Sequence, residues 1–387
     1  MITRRHLLGA GAAAAAGSAL RLPGSAATPQ DPYARRQLQA ITGQDVPGAL
    51  AVIRTGTIQG WAAAGTADLE TGRPPQRNDR FRIASITKTF VATVVLQLAA
   101  EGRIGLDDPV SRYLPGLLPY SSAIRIRDLL QHTSGLPDYH DYDGLDSAAA
   151  YLARRYDNPA PYQSIALATA HPLLFTPGTA WSYADTNYLV LGLAVQRVTG
   201  MPIAAEVTRR LIRPLGLTAT SFPMGTAQIC GTHLHGYMPA DLPGRPFANI
   251  TRPIDFTRET IDQTGAAGAM ISNGPDLLRF LRALLRGSLL PADLMKEMTR
   301  TVSTGSAAAG SGMTGYGLGL AQFGTGSGTF WGNTGVIHGY VSALVATRDG
   351  SRQLAATATL SPVPNHTAAT IATAYAAIAR SLNHRHP

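Results

Sequence analysis

Lysine is almost missing from this chain: 387 residues hold 31 arginines and two lysines, Lys88 and Lys296. An amine gives up its proton when burial or a neighbour perturbs it, and a guanidinium does not. The scarcity therefore draws attention to the two places where lysine is kept. Cysteine is nearly absent as well. Cys230 stands alone, which excludes an intrachain disulfide and leaves stability to packing. Beyond the first few tens of residues no stretch of 18 apolar residues occurs, so no membrane span is expected. There is no Gly-x-Ser-x-Gly, which disfavours the sharp strand–helix elbow of α/β-hydrolases. His233 and His235 have no second His/Asp cluster to complete a metal site, so no metal is expected. The glycines at 324–328 lack the Lys-Ser/Thr of a phosphate loop, and no cofactor is expected. The formal charge is +9, but the arginines are dispersed and no basic–aromatic tract appears, so nucleic acid is disfavoured. A solvated Arg-rich surface is the plainer reading, with affinity for anionic wall polymer or lipid headgroups as the alternative. No repeat of 20–50 residues is visible.

What is present begins with Met1-Ile-Thr-Arg4-Arg5-His-Leu-Leu8, a soft Ala/Gly run to Leu20, and Ser25-Ala26-Ala27. Twin arginines, a weakly apolar segment and small residues before a cleavage point predict a twin-arginine export signal over 1–27. The expectation is a secreted, extracytoplasmic protein whose remaining residues, 28–387, form one catalytic domain. Hydrophobic periodicity predicts a helix over 31–44 and strands over 48–54 and 58–65. Helices follow over 85–101, 126–132, 187–198, 204–213 and 277–286, the last entered by the cap-like Asn273-Gly-Pro-Asp276. Strands over 340–347 and 353–360 flank the turn Arg348-Asp349-Gly350-Ser351, and a helix over 367–382 closes the chain. Residues 305–328, rich in Gly, Ser and Ala, are expected to hold a mobile loop. Strands at both ends and helices between them predict an α/β (α+β) fold, with an antiparallel sheet formed from both termini, flanked by helices and carrying an all-helical insert.

Chemistry concentrates at Ser85-Ile-Thr-Lys88, at the start of an apolar helical run. A spacing of three puts hydroxyl and amine on one helical face within mutual reach, an arrangement that turns a weak alcohol into a nucleophile. The pattern occurs once, because Asp293 stands three residues before Lys296.

Further segments extend this beyond one motif. Phe81-Arg-Ile-Ala-Ser-Ile-Thr-Lys-Thr-Phe90, Leu129-Leu-Gln-His-Thr-Ser-Gly-Leu136 and Trp181-Ser-Tyr-Ala-Asp-Thr-Asn187 appear in order. Gly265-Ala-Ala-Gly-Ala-Met-Ile-Ser272, Tyr316-Gly-Leu-Gly-Leu320 and Gly332-Asn-Thr-Gly335 follow. Together they resemble the penicillin-recognising serine hydrolases, the family of secreted D-alanyl-D-alanine carboxypeptidases and class C β-lactamases, over essentially the whole chain after the leader. The resemblance implies a β-lactamase/transpeptidase-like fold. It further implies Ser85 as nucleophile and acyl-enzyme residue, Lys88 as proton acceptor or relay, and Tyr183 as proton shuttle to the leaving group. Backbone N–H groups of Ser85 and Val336 would form the oxyanion site. His132 is expected to buttress the wall behind the nucleophile.

Several positions depart from the family pattern. Its Tyr-x-Asn is Tyr183-Ala-Asp185, its Lys-Thr-Gly or His-Thr-Gly is Asn333-Thr334-Gly335, and Ala321 stands where carboxypeptidases place a carboxylate-binding arginine. Val336 replaces a second hydroxyl. Asp185, Asn333, Thr334, Gly335 and Val336 are the expected substrate-binding positions. An anionic Asp185 beside Lys88 is expected to hold the lysine protonated, leaving Tyr183 or a Lys–Tyr relay to start the reaction. The activity the resemblance implies first is D-alanyl-D-alanine carboxypeptidase action on cell-wall peptides. The departures keep open an esterase, D-amino-acid amidase or acyl transferase on a substrate lacking a free C-terminal carboxylate. A binder that is acylated and never turns over, a non-catalytic penicillin-binding protein, is the third reading.

Overall fold

Seven antiparallel strands make the central sheet, in the spatial order β2-β1-β7-β6-β5-β4-β3. They are β1 (Gly48–Thr55), β2 (Ile58–Gly65), β3 (Met313–Tyr316), β4 (Ala321–Gly324), β5 (Thr329–Ile337), β6 (Tyr340–Ala346) and β7 (Arg352–Ala358). The computed structural model describes residues 30–42, 46–120, 124–145, 148–239, 241–242, 245–246, 253–261, 263–305, 312–324, 328–360 and 365–383. The expected export signal lies outside the described residues. First and last strands meet in the middle of the sheet, Ala49 opposite Ala358 through Thr55 opposite Arg352. The sheet is thus built from both ends of the chain, as the sequence pattern predicts.

Side-chain size decides what each face carries. On one face Ala49, Ala51, Ala62, Ala356 and Ala358 keep the surface low. Helices α1 (Pro32–Thr42) and α6 (Asn365–Asn383) lie on it, burying Leu38 and Ile41 from one and Ile378 and Leu382 from the other. In α1 the buried residues Ala34, Leu38 and Ile41 follow the i, i+4, i+7 stripe of a helix with one apolar side.

The opposite face belongs to the larger core. Leu50, Val52, Leu344 and Ala355 pack there against α2 (Thr87–Ala100) and α5 (Gly274–Leu285). Phe90 of α2 stacks on Phe280 of α5 with centroids 3.6 Å apart. Asn273 caps α5 by accepting from the Asp276 N–H at 3.0 Å. The Asp276 carboxylate turns instead to the Ala219 N–H and the Thr220 hydroxyl, tying the helix start to a distant loop. The helical insert includes α3 (Ile126–Gln131) and α4 (Thr186–Thr199), both packed on the same core. Among the described residues no single helix is long and apolar enough to cross a membrane.

One sequence expectation gains detail and one changes. The segment expected to hold a mobile loop carries β3 and β4, which pair as a hairpin, Ala321 opposite Tyr316, while 306–311 and 325–327 lie outside the described residues. Two of its glycines have close neighbours: a Cβ on Gly315 of β3 would meet Thr301, and one on Gly317 in the following turn the Met298 carbonyl. The predicted helix 204–213 starts as an α-helix over Ile203–Val207 and widens into a π turn over Thr208–Ile212.

The sheet approaches the helical part most closely at Gly335. A Cβ there would sit 2.3 Å from the Ile83 carbonyl oxygen and 3.1 Å from the Ala84 side chain. Only glycine allows β5 to lie against the turn that carries Ser85. Gly335→Ala is therefore expected to move strand and turn apart and to lower kcat/KM by about a hundredfold, the effect of an ångström of misplacement. Steady-state kinetics beside a thermal melt separates this from unfolding.

Candidate active site

The Ser85 turn is strained before any substrate arrives. Ala84 has φ 48°, a left-handed conformation that costs a residue with a Cβ roughly 1–2 kcal/mol. Its surroundings hold it there: the Ile83 N–H donates to the Met270 carbonyl at 3.0 Å, and Gly335 presses on Ile83 from the sheet. Ala84–Ile86 form a single 3-10 turn that leads directly into α2. Ser85 stands at this junction, half-buried, and Lys88 one turn on is fully buried.

Three groups surround the Lys88 Nζ. It donates to Ser85 Oγ at 3.0 Å, to Asp185 Oδ1 at 2.7 Å and to the Ala267 carbonyl at 2.9 Å. An ammonium has three N–H bonds, and each has an acceptor here. On the other side of the serine, the Tyr183 hydroxyl is 2.6 Å from Ser85 Oγ. The structure thus brings Ser85, Lys88, Tyr183 and Asp185 into one hydrogen-bonded cluster.

Tyr183 is fixed from behind. The His132 ring stacks on it at 4.5 Å, and His132 Nδ1 accepts from the Ala184 N–H at 3.3 Å and from Asn187 Nδ2 at 3.0 Å. Burial, helped by the Lys88 charge, lowers His132 to about 3, so the ring is neutral and acts as packing. This is the buttress expected of the His-Thr-Ser-Gly segment. It depends on His132 taking a left-handed backbone, φ 60°, where α3 ends.

Asp185 also faces a group the sequence reading passed over. His140 Nε2 lies 3.4 Å from Asp185 Oδ2, while its Nδ1 meets Asp143 Oδ2 at 2.9 Å. Asp138 Oδ2 accepts the Asp185 N–H at 3.1 Å. The run Asp138-Tyr-His-Asp-Tyr-Asp143 was visible as a dense titratable patch. Nothing in its spacing tied it to a serine more than fifty residues earlier.

The electrostatics follow from this packing. Burial pushes the Asp185 carboxyl up, but the Lys88 and His140 cations outweigh it and hold the group far below the usual carboxylate range. Burial disfavours His140 charge, yet its bonds to Asp143 and Asp185 raise it to about 10. Asp138 is pushed up to about 6 by burial and by Asp185. Tyr183 is raised well above its ordinary value by burial and by Asp185. For Lys88 burial lowers the amine while Asp185 raises it, and the net displacement is downward. Burial therefore moves the two partners of Ser85 Oγ in opposite senses, the amine toward use as a base and the phenol away from it. Asp185 and burial thus act on Lys88 in opposite senses, the anion favouring the ammonium and burial the amine.

Of the other expected substrate positions, Gly335 and Val336 lie beside the serine and Val336 is exposed. Asn333 is buried, its amide reaching Thr89 Oγ1 at 3.3 Å and the Tyr316 hydroxyl at 3.4 Å. Strand alternation sends the Thr334 side chain to the far face, against Phe330 and Tyr375. Ala321 is buried in the smaller core.

A cavity of about 250 Å³ opens beside Ser85. Leu145, Tyr151, Ile261 and Ile337 give it an apolar wall, and His140, Asp185, Gln263 and His338 are its polar groups. His338 Nδ1 is anchored on the buried Glu259 at 2.7 Å. No arginine or lysine is among the residues lining the cavity. His233 and His235 stack on one another elsewhere, and among the described residues no group of three metal-binding side chains occurs.

A family model described as Beta-lactamase matches residues 34–379. The chain belongs to the beta-lactamase family of serine hydrolases. Within it, Esterase EstB of Burkholderia gladioli is 32% identical over 268 residues, covering 64% of this chain and 67% of that protein. Penicillin-binding protein 4* of Bacillus subtilis is 32% identical over 156 residues, which span 40% of this chain and only 33% of the relative. Among solved structures, a D-stereospecific amidohydrolase from Streptomyces sp. superposes with a TM-score of 0.79 at 36% identity, covering 88% of this chain and 97% of that one. The D-amino acid amidase from Ochrobactrum anthropi SV3, at 23% identity and a TM-score of 0.77, shares the fold.

The buried carboxylate gives a direct test. Asp185→Asn removes the main anion that raises Lys88 and leaves burial opposed only by the more distant Asp138. Acylation of Ser85 by a fluorophosphonate, followed against pH, is expected to keep its acid limb in wild type and to shift that limb to lower pH in the variant. An unmoved limb means that Lys88 is not the group being titrated.

Proposed function

We propose that this beta-lactamase family member is an amidase or esterase that forms an acyl-enzyme on Ser85 and acts on substrates without a free C-terminal carboxylate. D-amino-acid amides and esters are the class that fits best. The observation that carries this reading is the lining of the cavity beside Ser85, which among the described residues has no arginine or lysine to neutralise a carboxylate. Asn333 spends its amide on Thr89 and Tyr316, and Ala321 has no cation to offer. His140, on the same wall, is engaged by Asp143 and Asp185. Around it Asp138, Asp143 and Asp185 outnumber the Lys88 and His140 cations, a balance that suits an amine-bearing substrate and repels a carboxylate. The 36% identical amidohydrolase and the 32% identical esterase support the same choice by name.

In this mechanism Lys88 acts from the fraction of molecules in which burial leaves it as the free amine: Ser85 Oγ attacks the substrate carbonyl and its proton passes to that amine. The carbonyl oxygen takes the negative charge between the N–H groups of Ser85 and Val336. The Tyr183 hydroxyl delivers its proton to the departing nitrogen or oxygen and regains one from the Lys88 ammonium. Water then repeats the sequence on the acyl-enzyme, with Ser85 as the leaving group. The neutral phenol that burial enforces on Tyr183 suits a proton donor. With the export signal expected over 1–27, we place this activity outside the cytoplasm.

Steady-state kinetics on a D-amino-acid amide, the matching ester and an acyl-D-Ala-D-Ala peptide checks the reading. The amide or ester is expected to lead in kcat/KM by at least about tenfold, the cost of one unpaired charge in a dry site. Preference for the free acid overturns it in favour of a carboxypeptidase. Intact mass should show a transient adduct on wild type and none on Ser85→Ala; an adduct that persists for hours marks a binder without turnover.

A further inference from the structure

Five arginines converge where no acid meets them. Arg54 of β1, Arg77 of the following loop, and Arg279, Arg282 and Arg286 along one side of α5 and its end line an open cleft of about 540 Å³. This cleft shares no lining residue with the cavity beside Ser85. The spacing 279, 282, 286 puts three guanidinium groups on one helical face.

Some arginines elsewhere are matched with acids, while others, such as Arg80, Arg82 and Arg155, bond backbone carbonyls. Arg210 bonds Glu101 and Glu206, and Arg127 bonds Asp107 and Glu297. Among the described residues none of the five cleft arginines has an ion pair, and no acidic side chain lines the cleft. Their bonds go to neutral oxygens. Arg54 reaches the Gly56 carbonyl, Arg77 the Gln59 amide, Arg279 the Gly216 carbonyl and Arg286 the Asp349 carbonyl. Asp349 is the nearby acid in sequence, but its carboxylate closes its own turn on Thr347 and Ser351. The Nε atoms of Arg54 and Arg77 are buried with no partner at all. Burial and repulsion from the four other arginines both lower the Arg54 guanidinium from its ordinary value. An Arg-rich composition accounts for arginines on a surface. It does not account for five of them held together with the acids kept out.

We propose that this cleft is a binding site for a small anion carrying two or more adjacent phosphoryl groups. Guanidinium forks match phosphate oxygens two at a time, and five of them exceed what a single phosphate or carboxylate neutralises. The cleft holds no aromatic side chain to stack a base, so the phosphoryl groups themselves are what it recognises.

Calorimetry of the full chain at low salt with inorganic tripolyphosphate, pyrophosphate and orthophosphate tests this. Tripolyphosphate is expected to bind more tightly than orthophosphate. Arg282→Glu should weaken it by at least about tenfold, as expected for a lost charge-assisted contact. Arg286→Ala, on an exposed side chain, should weaken it less while leaving Ser85 hydrolase activity unchanged, and it serves if the first variant fails to fold. No binding of tripolyphosphate at millimolar concentration, or equal binding by wild type and Arg286→Ala, overturns the proposal. Sedimentation with phosphatidylglycerol vesicles separates the sources. A phosphatidylglycerol headgroup carries a single phosphoryl group, so vesicle binding that is weaker than tripolyphosphate binding and displaced by it supports the site, whereas vesicle binding without any tripolyphosphate binding overturns it.

Discussion

The buried contact between Lys88 and Asp185 is the constraint on which the site is built. A lysine with no solvent exposure is tolerable only if its charge is met, and Asp185 meets it at 2.7 Å. Removing one partner of such a pair costs about 3–5 kcal/mol, because the other is left charged and dry. The contact also fixes geometry. It holds Nζ 3.0 Å from Ser85 Oγ and ties α2 to the start of α4, on the same short segment that carries Tyr183. One electrostatic requirement therefore sets the positions of nucleophile, amine and phenol together.

The second carboxylate oxygen of Asp185 extends the constraint outward. Through His140 it reaches Asp143, and its own backbone N–H reaches Asp138, so the loop after α3 is drawn onto the site by charge as well as by the core packing of Leu136 and Tyr139. The strained Ala84 belongs to the same economy. The helical core, the sheet edge at Gly335 and the Met270 carbonyl over-determine the turn, so a conformation that Ala84 would leave in isolation is the one it keeps.

What the sequence made legible was whatever is local. Ser85 and Lys88 sit one turn apart, Tyr183 and Asp185 two residues apart, and the sheet strands at both ends carry an apolar period with turn residues between them. What it hid was assembled across the chain. His140 meets Asp185 only because a loop folds back, and Glu259 and His338 pair across 79 residues. Glycine is ambiguous in one place: Gly315 of β3 and Gly317 just after it are closely approached by Thr301 and the Met298 carbonyl, contacts that composition alone does not register. Asn333 and Thr334 were named together as substrate positions, and strand alternation separates their side chains. Adjacent positions on β5 face opposite layers, so a motif that marks the backbone does not bring both side chains to one pocket.

With Lys88 sealed in the core, Lys296 on the helix Ala292–Met298 is the only lysine whose amine meets solvent. Reagents that target lysine therefore see a single side chain, remote in sequence from the nucleophile. Coupling to a support or a fluorophore through that amine gives one attachment point and one orientation, a uniformity that a lysine-rich hydrolase does not provide.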